Sequence, residues 1–250
     1  MMSRTEKENG IEHFNKWLGS FWWPEDRPNG LQLMNKVRVP FIKEAILSNE
    51  NRGQNDNLQG IKILDAGCGG GILAEDLART GAQIVGIDMA EEVIKEAQTH
   101  LKLKSKELES SLTYKLESIE SHQEKNNGKY DAVVSSEVIE HIDVNEVEDF
   151  VKSCVEAVKP GGAVIITTVN KTFCAWWNLV VGAEYWSKRI PKGTHFYNRM
   201  VPAQTLIGYL EKAGCTIKYS KGFAFDFNVT RCDWSDNLDY FYAVFAVKNK

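Results

Sequence analysis

Between residues 61 and 169, short apolar runs alternate with stretches of helical periodicity, the arrangement that gives parallel strands joined by crossover helices. The pattern predicts strands at 61–65, 83–87, 112–116, 130–135 and 163–169. Helices are predicted at 72–80, 91–103 and 144–158, the last stopped by Pro160-Gly161-Gly162. Upstream, Leu33, Met34, Val37, Phe41 and Ala45 recur at helical spacing within 31–47, and a polar loop follows over 48–60. Downstream come a helix at 202–213, a strand at 215–222, an aromatic loop with Phe223, Phe225, Phe227 and Trp234, and a closing strand at 238–247. A polar turn is predicted after the weaker strand at 112–116. The result is an α/β domain with a Rossmann-like, mostly parallel seven-stranded sheet and helices on both faces. Residues 1–50 form an N-terminal helical cap, and 170–200 an inserted amphipathic lid.

The strand–turn–helix ILDAGCGGGILAEDLA places Gly67, Gly69 and Gly71 where the chain leaves the sheet for a helix. Glycine permits positive φ there and removes the Cβ that would keep a ligand off the backbone. Open α/β sheets bind ligands at the carboxyl ends of their strands, where this turn lies. A dinucleotide site reads G-x-G-x-x-G. Here the spacing is G-x-G-x-G, with Asp65 two residues ahead, a carboxylate that repels pyrophosphate and suits a ligand carrying an ammonium and a sulfonium. Asp88 ends the second strand, where an acidic side chain can take both hydroxyls of a ribose. The plainer alternative is a tight turn with Asp88 as a helix cap.

Strand four runs into SSEVIEHID. A helical turn would bring Glu137, Glu140 and His141 near one face. Two carboxylates and an imidazole can hold a divalent cation, Mg²⁺ by oxygen ligation, with Mn²⁺ or Zn²⁺ compatible with the imidazole. Alternatively His141 acts as a general base without metal, a role incompatible with ligation through its acceptor nitrogen.

Composition narrows the picture. The 250 residues suit one domain with a full core, and a formal net charge of −4 leaves no basic footprint for nucleic acid. No apolar run approaches the roughly 18 residues of a spanning helix, and Met1–Gly10 resembles neither a signal nor a transit peptide. The five cysteines form no C-x-x-C pair and read as reduced, buried small hydrophobes. The 170–200 region mixes Phe173, Trp176, Trp177 and Trp186 with Lys188, Arg189, Lys192, His195 and Arg199. Such a mixture can lie in a bilayer interface or pack as a lid.

The glycine turn with Asp65 and Asp88, and VKPGG at 158–162, resemble the signature of class I methyltransferases. Near end to end, the chain resembles the ubiquinone-biosynthesis O-methyltransferase family: FWW at 21–23, NKVRVPFI at 35–42, LDAGCGGGILAEDLA at 64–78, EVIEH at 137–141, and most specifically VVGAEYWSKRIPKGTH at 180–195. It departs at 29–36, NGLQLMNK, where the family has a longer Pro-Leu-His stretch. The resemblance implies S-adenosyl-L-methionine as donor, contacted by Arg38, Gly67, Asp88 and Ser136, with the adenine bordering Glu117–Ser118. It also implies Mg²⁺ on Glu137, Glu140 and His141. Expected partners are a polyprenylated catechol, a membrane surface met through 170–200, and a multi-enzyme biosynthetic complex. The expected location is the matrix side of the mitochondrial inner membrane, or the cytoplasmic side of a bacterial membrane. Other readings are a methyltransferase for a soluble phenol and a non-catalytic assembly subunit.

Overall fold

The computed structural model describes residues 22–24, 28–49, 57–177, 197–226 and 229–250. Its strands are β1 (Lys62–Ala66), β2 (Gln83–Asp88), β3 (Leu112–Leu116), β4 (Tyr130–Ser136), β5 (Val158–Val169), β6 (Cys215–Phe225), β7 (Cys232–Ser235) and β8 (Phe241–Lys248). They form one sheet in the order β3-β2-β1-β4-β5-β8-β6-β7. β1 to β5 pair in parallel, and β8 joins β5 and β6 antiparallel. The helices are α1 (Gly30–Asn49), α2 (Ile72–Ala78), α3 (Glu91–Lys104), α4 (Ile119–Asn126), α5 (Val147–Ala157), α6 (Phe173–Trp176) and α7 (Ala203–Lys212).

Strand alternation sends successive side chains to opposite faces. Ile63, Ala132, Val134 and Ile165 face one apolar layer with Leu33, Met34 and Phe41 of α1 and Leu73 and Leu77 of α2. Leu64, Val133, Val164 and Ile166 face the other with Val151 and Val155 of α5 and Leu206 and Leu210 of α7. Helices on both sides bury the central parallel strands, which explains the near-continuous hydrophobic runs of β1, β4 and β5, while β3 at the sheet edge is half exposed.

Among the described residues the sheet has eight strands rather than the expected seven. β7, read from sequence as part of an aromatic loop, pairs with β6 through Gly222–Ser235 to Phe225–Cys232. Cys232 is buried and Asp233 exposed, but four residues are too few for that alternation to stand out. The polar stretch after β3 is helix α4, capped by the Ser118 hydroxyl, which accepts from Ser121 N. α5 starts later than expected because Asp143 Oδ1 accepts from Asn145 N at 2.9 Å, and Asp143 O from Glu146 N at 2.8 Å, closing a turn ahead of it. β5 starts earlier, at Val158, which pairs with Tyr130 before the register shifts. Of the predicted 1–50 cap and 170–200 lid, residues 1–21, 25–27, 50 and 178–196 lie outside the described residues, Trp186, Lys188, Arg189, Lys192 and His195 among them. Among the described residues, no helix is long and apolar enough to cross a membrane. Cys68, Cys154, Cys215 and Cys232 are buried with thiols pushed upward by desolvation, and Cys174 is exposed.

Candidate active site

The ends of β1, β2 and β4 lie side by side, and the loops leaving them form the site. Gly67 N and Cys68 N both donate to Ile87 O, at 2.8 and 2.9 Å, stitching the start of the glycine turn to β2. Gly67 and Gly71 have φ of 83° and 88°. At Gly67 a Cβ would come within 2.4 Å of Val138 Cγ2, and at Gly71 within 2.2 Å of the Tyr114 hydroxyl. Sequence placed glycine here for conformational freedom, and the structure adds close approach from two side chains.

Asp88 closes the turn from the neighbouring strand. Its Oδ2 accepts from Gly69 N at 3.0 Å and its Oδ1 from Ala90 N at 2.9 Å. The carboxylate therefore turns the chain toward Ala90, the residue that precedes α3, while fixing the middle of the glycine turn. Each oxygen keeps a second lone pair for a ligand hydroxyl. Despite these bonds, burial raises its pKa.

Asp65 is 1% exposed, and its Oδ2 has no hydrogen-bond partner among the described residues. Desolvation pushes the carboxyl up to about 7, against the pull of the Arg38 guanidinium and with the push of Asp88. Arg38, on α1, is itself 2% exposed. Its Nη2 donates to Leu31 O at 2.9 Å and Asn35 Oδ1 at 2.6 Å, and its Nη1 to Ser136 Oγ at 2.6 Å. Its Nε has no partner among the described residues. A buried orphan acceptor and a buried orphan donor beside a glycine turn are matched by a zwitterion: an ammonium for Asp65 and a carboxylate for Arg38.

At the end of β4, Glu137 adopts φ 56°, left-handed backbone unusual outside glycine. A single 3₁₀ turn, Ile139–His141, follows it. The expected helical turn through all three candidate ligands is therefore absent, because the backbone reverses at Glu137 before any helix begins. Glu137 Oε1 accepts from Thr167 Oγ1 at 2.8 Å, and Glu140 Oε2 from Thr168 Oγ1 at 2.8 Å. Glu140 is 3% exposed, and burial, then the charge of Glu137, raises its pKa well above the carboxylate range. Two adjacent carboxyls suit a divalent cation. However, among the described residues no three His, Cys, Asp or Glu side chains gather where a metal ion could sit. Half-buried His141 is not brought to the pair as a third ligand.

The methyltransferase-domain family model matches residues 40–219 of the chain. Ubiquinone biosynthesis O-methyltransferase, mitochondrial, of Homo sapiens is 39% identical over 250 residues, covering 99% of this chain and 67% of that protein. Ubiquinone biosynthesis O-methyltransferase of Proteus mirabilis is 33% identical, covering 95% and 91%. The chain belongs to the ubiquinone biosynthesis O-methyltransferase family. A crystal structure of magnesium protoporphyrin IX methyltransferase from Synechocystis with bound SAH superposes with a TM-score of 0.64 at 20% identity, covering 96% and 95%, and shares the fold.

This S-adenosylmethionine-dependent methyltransferase gathers more at its site than its motifs announced. Thr167 Oγ1 lies 2.6 Å from Ser136 Oγ. Because the Thr167 proton goes to Glu137 and Ser136 accepts from Arg38, Ser136 donates to Thr167. A directed chain therefore runs from Arg38 through Ser136 and Thr167 to Glu137. Sequence reasoning overlooked both threonines, although two hydroxyls at the end of the aliphatic strand AVIITTV were the available signal. It also overlooked His122 on α4, fully buried between Glu117 Oε2 (2.5 Å) and Tyr130 OH (2.7 Å). That contact turns Glu117, at the expected adenine border, toward α4, and the imidazole holds its carboxyl below the usual range.

Proposed function

We propose that this methyltransferase transfers the methyl group of S-adenosyl-L-methionine to a catechol oxygen of polyprenylated intermediates in ubiquinone biosynthesis. The observation that carries the reading is that, among the described residues, buried Asp65 Oδ2 and buried Arg38 Nε have no hydrogen-bond partner, and the two charges act on each other at the glycine turn. In this reading Asp65 takes the donor's ammonium, Arg38 its carboxylate and Asp88 its ribose hydroxyls, while Gly67, Gly69 and Gly71 let it lie on the backbone. Ser136 fixes the guanidinium. The relatives named for ubiquinone biosynthesis support the substrate class.

The donor supplies an electrophilic methyl on a sulfonium. The substrate oxygen forms the new O–C bond as the S–C bond breaks, and that electron pair stays on sulfur. A catechol hydroxyl has a pKa near 10, as in tyrosine, so its proton must leave at neutral pH. His141 is the acceptor, and Glu137 orients the neighbouring hydroxyl. Mg²⁺ would take oxygen from Glu137 and Glu140 and favour the catecholate as a Lewis acid. Neither role needs His141 as a ligand.

Exposed Phe173 (67%), Trp177 (53%) and Tyr197 (45%) support contact with a membrane surface, where a prenylated substrate resides. Lys171 Nζ lies 5.4 Å from the centre of the Tyr197 ring, adding a cation beside the aromatics. The location is the matrix face of the mitochondrial inner membrane, or the cytoplasmic face in a bacterium, within a multi-enzyme complex.

The test is transfer of labelled methyl to a short-chain prenylated catechol, with and without Mg²⁺, by wild type and Asp65→Asn. Labelled product from wild type, and little from the variant, is expected. Donor binding without transfer to any catechol would remove the substrate assignment. Equal flotation of wild type and Trp176→Ser, Trp177→Ser protein with liposomes would remove the membrane contact.

A further inference from the structure

The glycine turn is gripped by two tryptophans that no part of the reaction calls for. The Trp22 ring lies against the chain at Gly69 and Gly70: a Cβ added at either would come within 2.6 and 2.5 Å of it. Trp22 is 6% exposed, packed with Ile72, Ala90 and Val93 at the starts of α2 and α3. Trp23 holds the same peptides by another means, donating its indole N–H to Gly70 O at 3.0 Å. Its ring stacks on His100, with centroids 3.4 Å apart and planes within 4°. That imidazole is tied through Nδ1 to Glu75 Oε1 at 2.8 Å. Glu75 is fully buried in α2, the helix that begins at the glycine turn, and also accepts from Ser105 Oγ at 2.5 Å. Trp23 is thus backed by a plate that is itself anchored beneath the turn.

The clasp also reaches Arg38. Asn29 Nδ2 donates to Trp22 O at 3.1 Å. The same Asn29 accepts from Gln32 N through its side chain, while Gln32 Oε1 accepts from Asn29 N, both at 2.9 Å, a reciprocal cap at the start of α1. Two turns on, α1 carries Arg38. A continuous set of hydrogen bonds and ring contacts therefore links Gly69–Gly70 to the guanidinium beside Asp65.

We propose that Trp22 and Trp23 are positioning residues for the donor, fixing the glycine turn in its cradle geometry before S-adenosylmethionine arrives. A run of glycines is the segment with the most conformational freedom to lose, so an unbraced turn would sample many shapes and be ordered only at the expense of binding. The two indoles remove that freedom in advance. They act on the turn and not on the reacting atoms, so they govern donor affinity and leave the chemical step alone.

This rests on the glycine turn as donor site, which calorimetric titration of wild-type protein with S-adenosylhomocysteine tests separately: no binding there would sink the site assignment itself. With wild-type binding established, Trp23→Phe keeps the stack on His100 and deletes the N–H. Donor Kd and KM rise threefold or more, in line with one net hydrogen bond, while kcat stays within twofold. Trp22→Leu empties the face of the turn and raises donor KM tenfold or more, and Trp22→Phe restores most of it. Val244→Ala, a cavity in β8 remote from the turn, supplies matched destabilisation and leaves donor KM unchanged. Unchanged donor affinity in folded Trp23→Phe and Trp22→Leu would overturn the proposal, as would a loss carried by kcat, or an equal rise in donor KM in Val244→Ala.

Discussion

Arg38 and Glu137 sit 4.0 Å apart at their nearest charged atoms, too far for a direct hydrogen bond, and two hydroxyls bridge them. Ser136 and Thr167 supply the relay, from a strand end and the neighbouring strand. The arrangement lets the guanidinium on α1 set the position of a carboxylate at the end of β4.

Thr167→Val deletes the central hydroxyl with little change of volume. It leaves the Ser136 proton and Glu137 Oε1 without their partner, at a cost of about 1–3 kcal/mol in a buried site. We expect a lower melting temperature and a loss of roughly tenfold in kcat, with donor KM nearly unchanged. A variant melting with wild type and turning over at the wild-type rate would dismiss the relay.

If Asp65 takes the donor's ammonium as proposed, donor binding depends on pH. Its carboxyl titrates near 7 when folded and near 3.9 when unfolded. Between those values the native state holds a proton that the unfolded chain has lost. Asp65's contribution to stability therefore falls as pH rises through that window and is a constant penalty above it. Binding an ammonium selects the ionised form, so below pH 7 uptake of donor releases a proton. Donor affinity should climb from pH 6 to about 7 and then level off, and binding enthalpy near pH 6.5 should depend on the buffer's heat of ionisation. Asp65→Asn should flatten the profile and weaken binding. Buffer-independent enthalpy would show that this carboxyl does not meet the ammonium.

Glu140→Gln replaces a carboxyl whose pKa burial raises well above the usual range, favouring its neutral form. The neutral amide should cost less than about 1 kcal/mol at neutral pH, far below the few kcal/mol of breaking a buried charged pair. Any Mg²⁺ dependence of methyl transfer should nevertheless weaken, since one of two oxygen donors becomes a poor one. Severe destabilisation by calorimetry would show that Glu140 is buried as an anion.

Much of the glycine turn was readable in the chain because backbone geometry dictates residue type there. Gly67 and Gly71 need positive φ with side chains pressed against them, and few alternatives satisfy both. The substrate side was harder. Periodicity presumes a regular backbone, and Glu137 breaks it with a left-handed residue that no propensity marks. Thr167, Thr168 and His122 acquire their roles from partners 30, 28 and 8 positions away, a relation that exists only once the sheet has assembled. β7 was lost among aromatics because its pairing with β6, not its own four residues, makes it a strand.

The burial of four thiols leaves the fifth chemically distinct. Cys174 lies in the short helix that carries Phe173 and Trp176, and it is exposed. A thiol-reactive dye would therefore find its fastest target among the surface aromatics without any cysteine being engineered in. The native chain brings its own attachment point for a reporter of local polarity, at the patch where contact with lipid is in question.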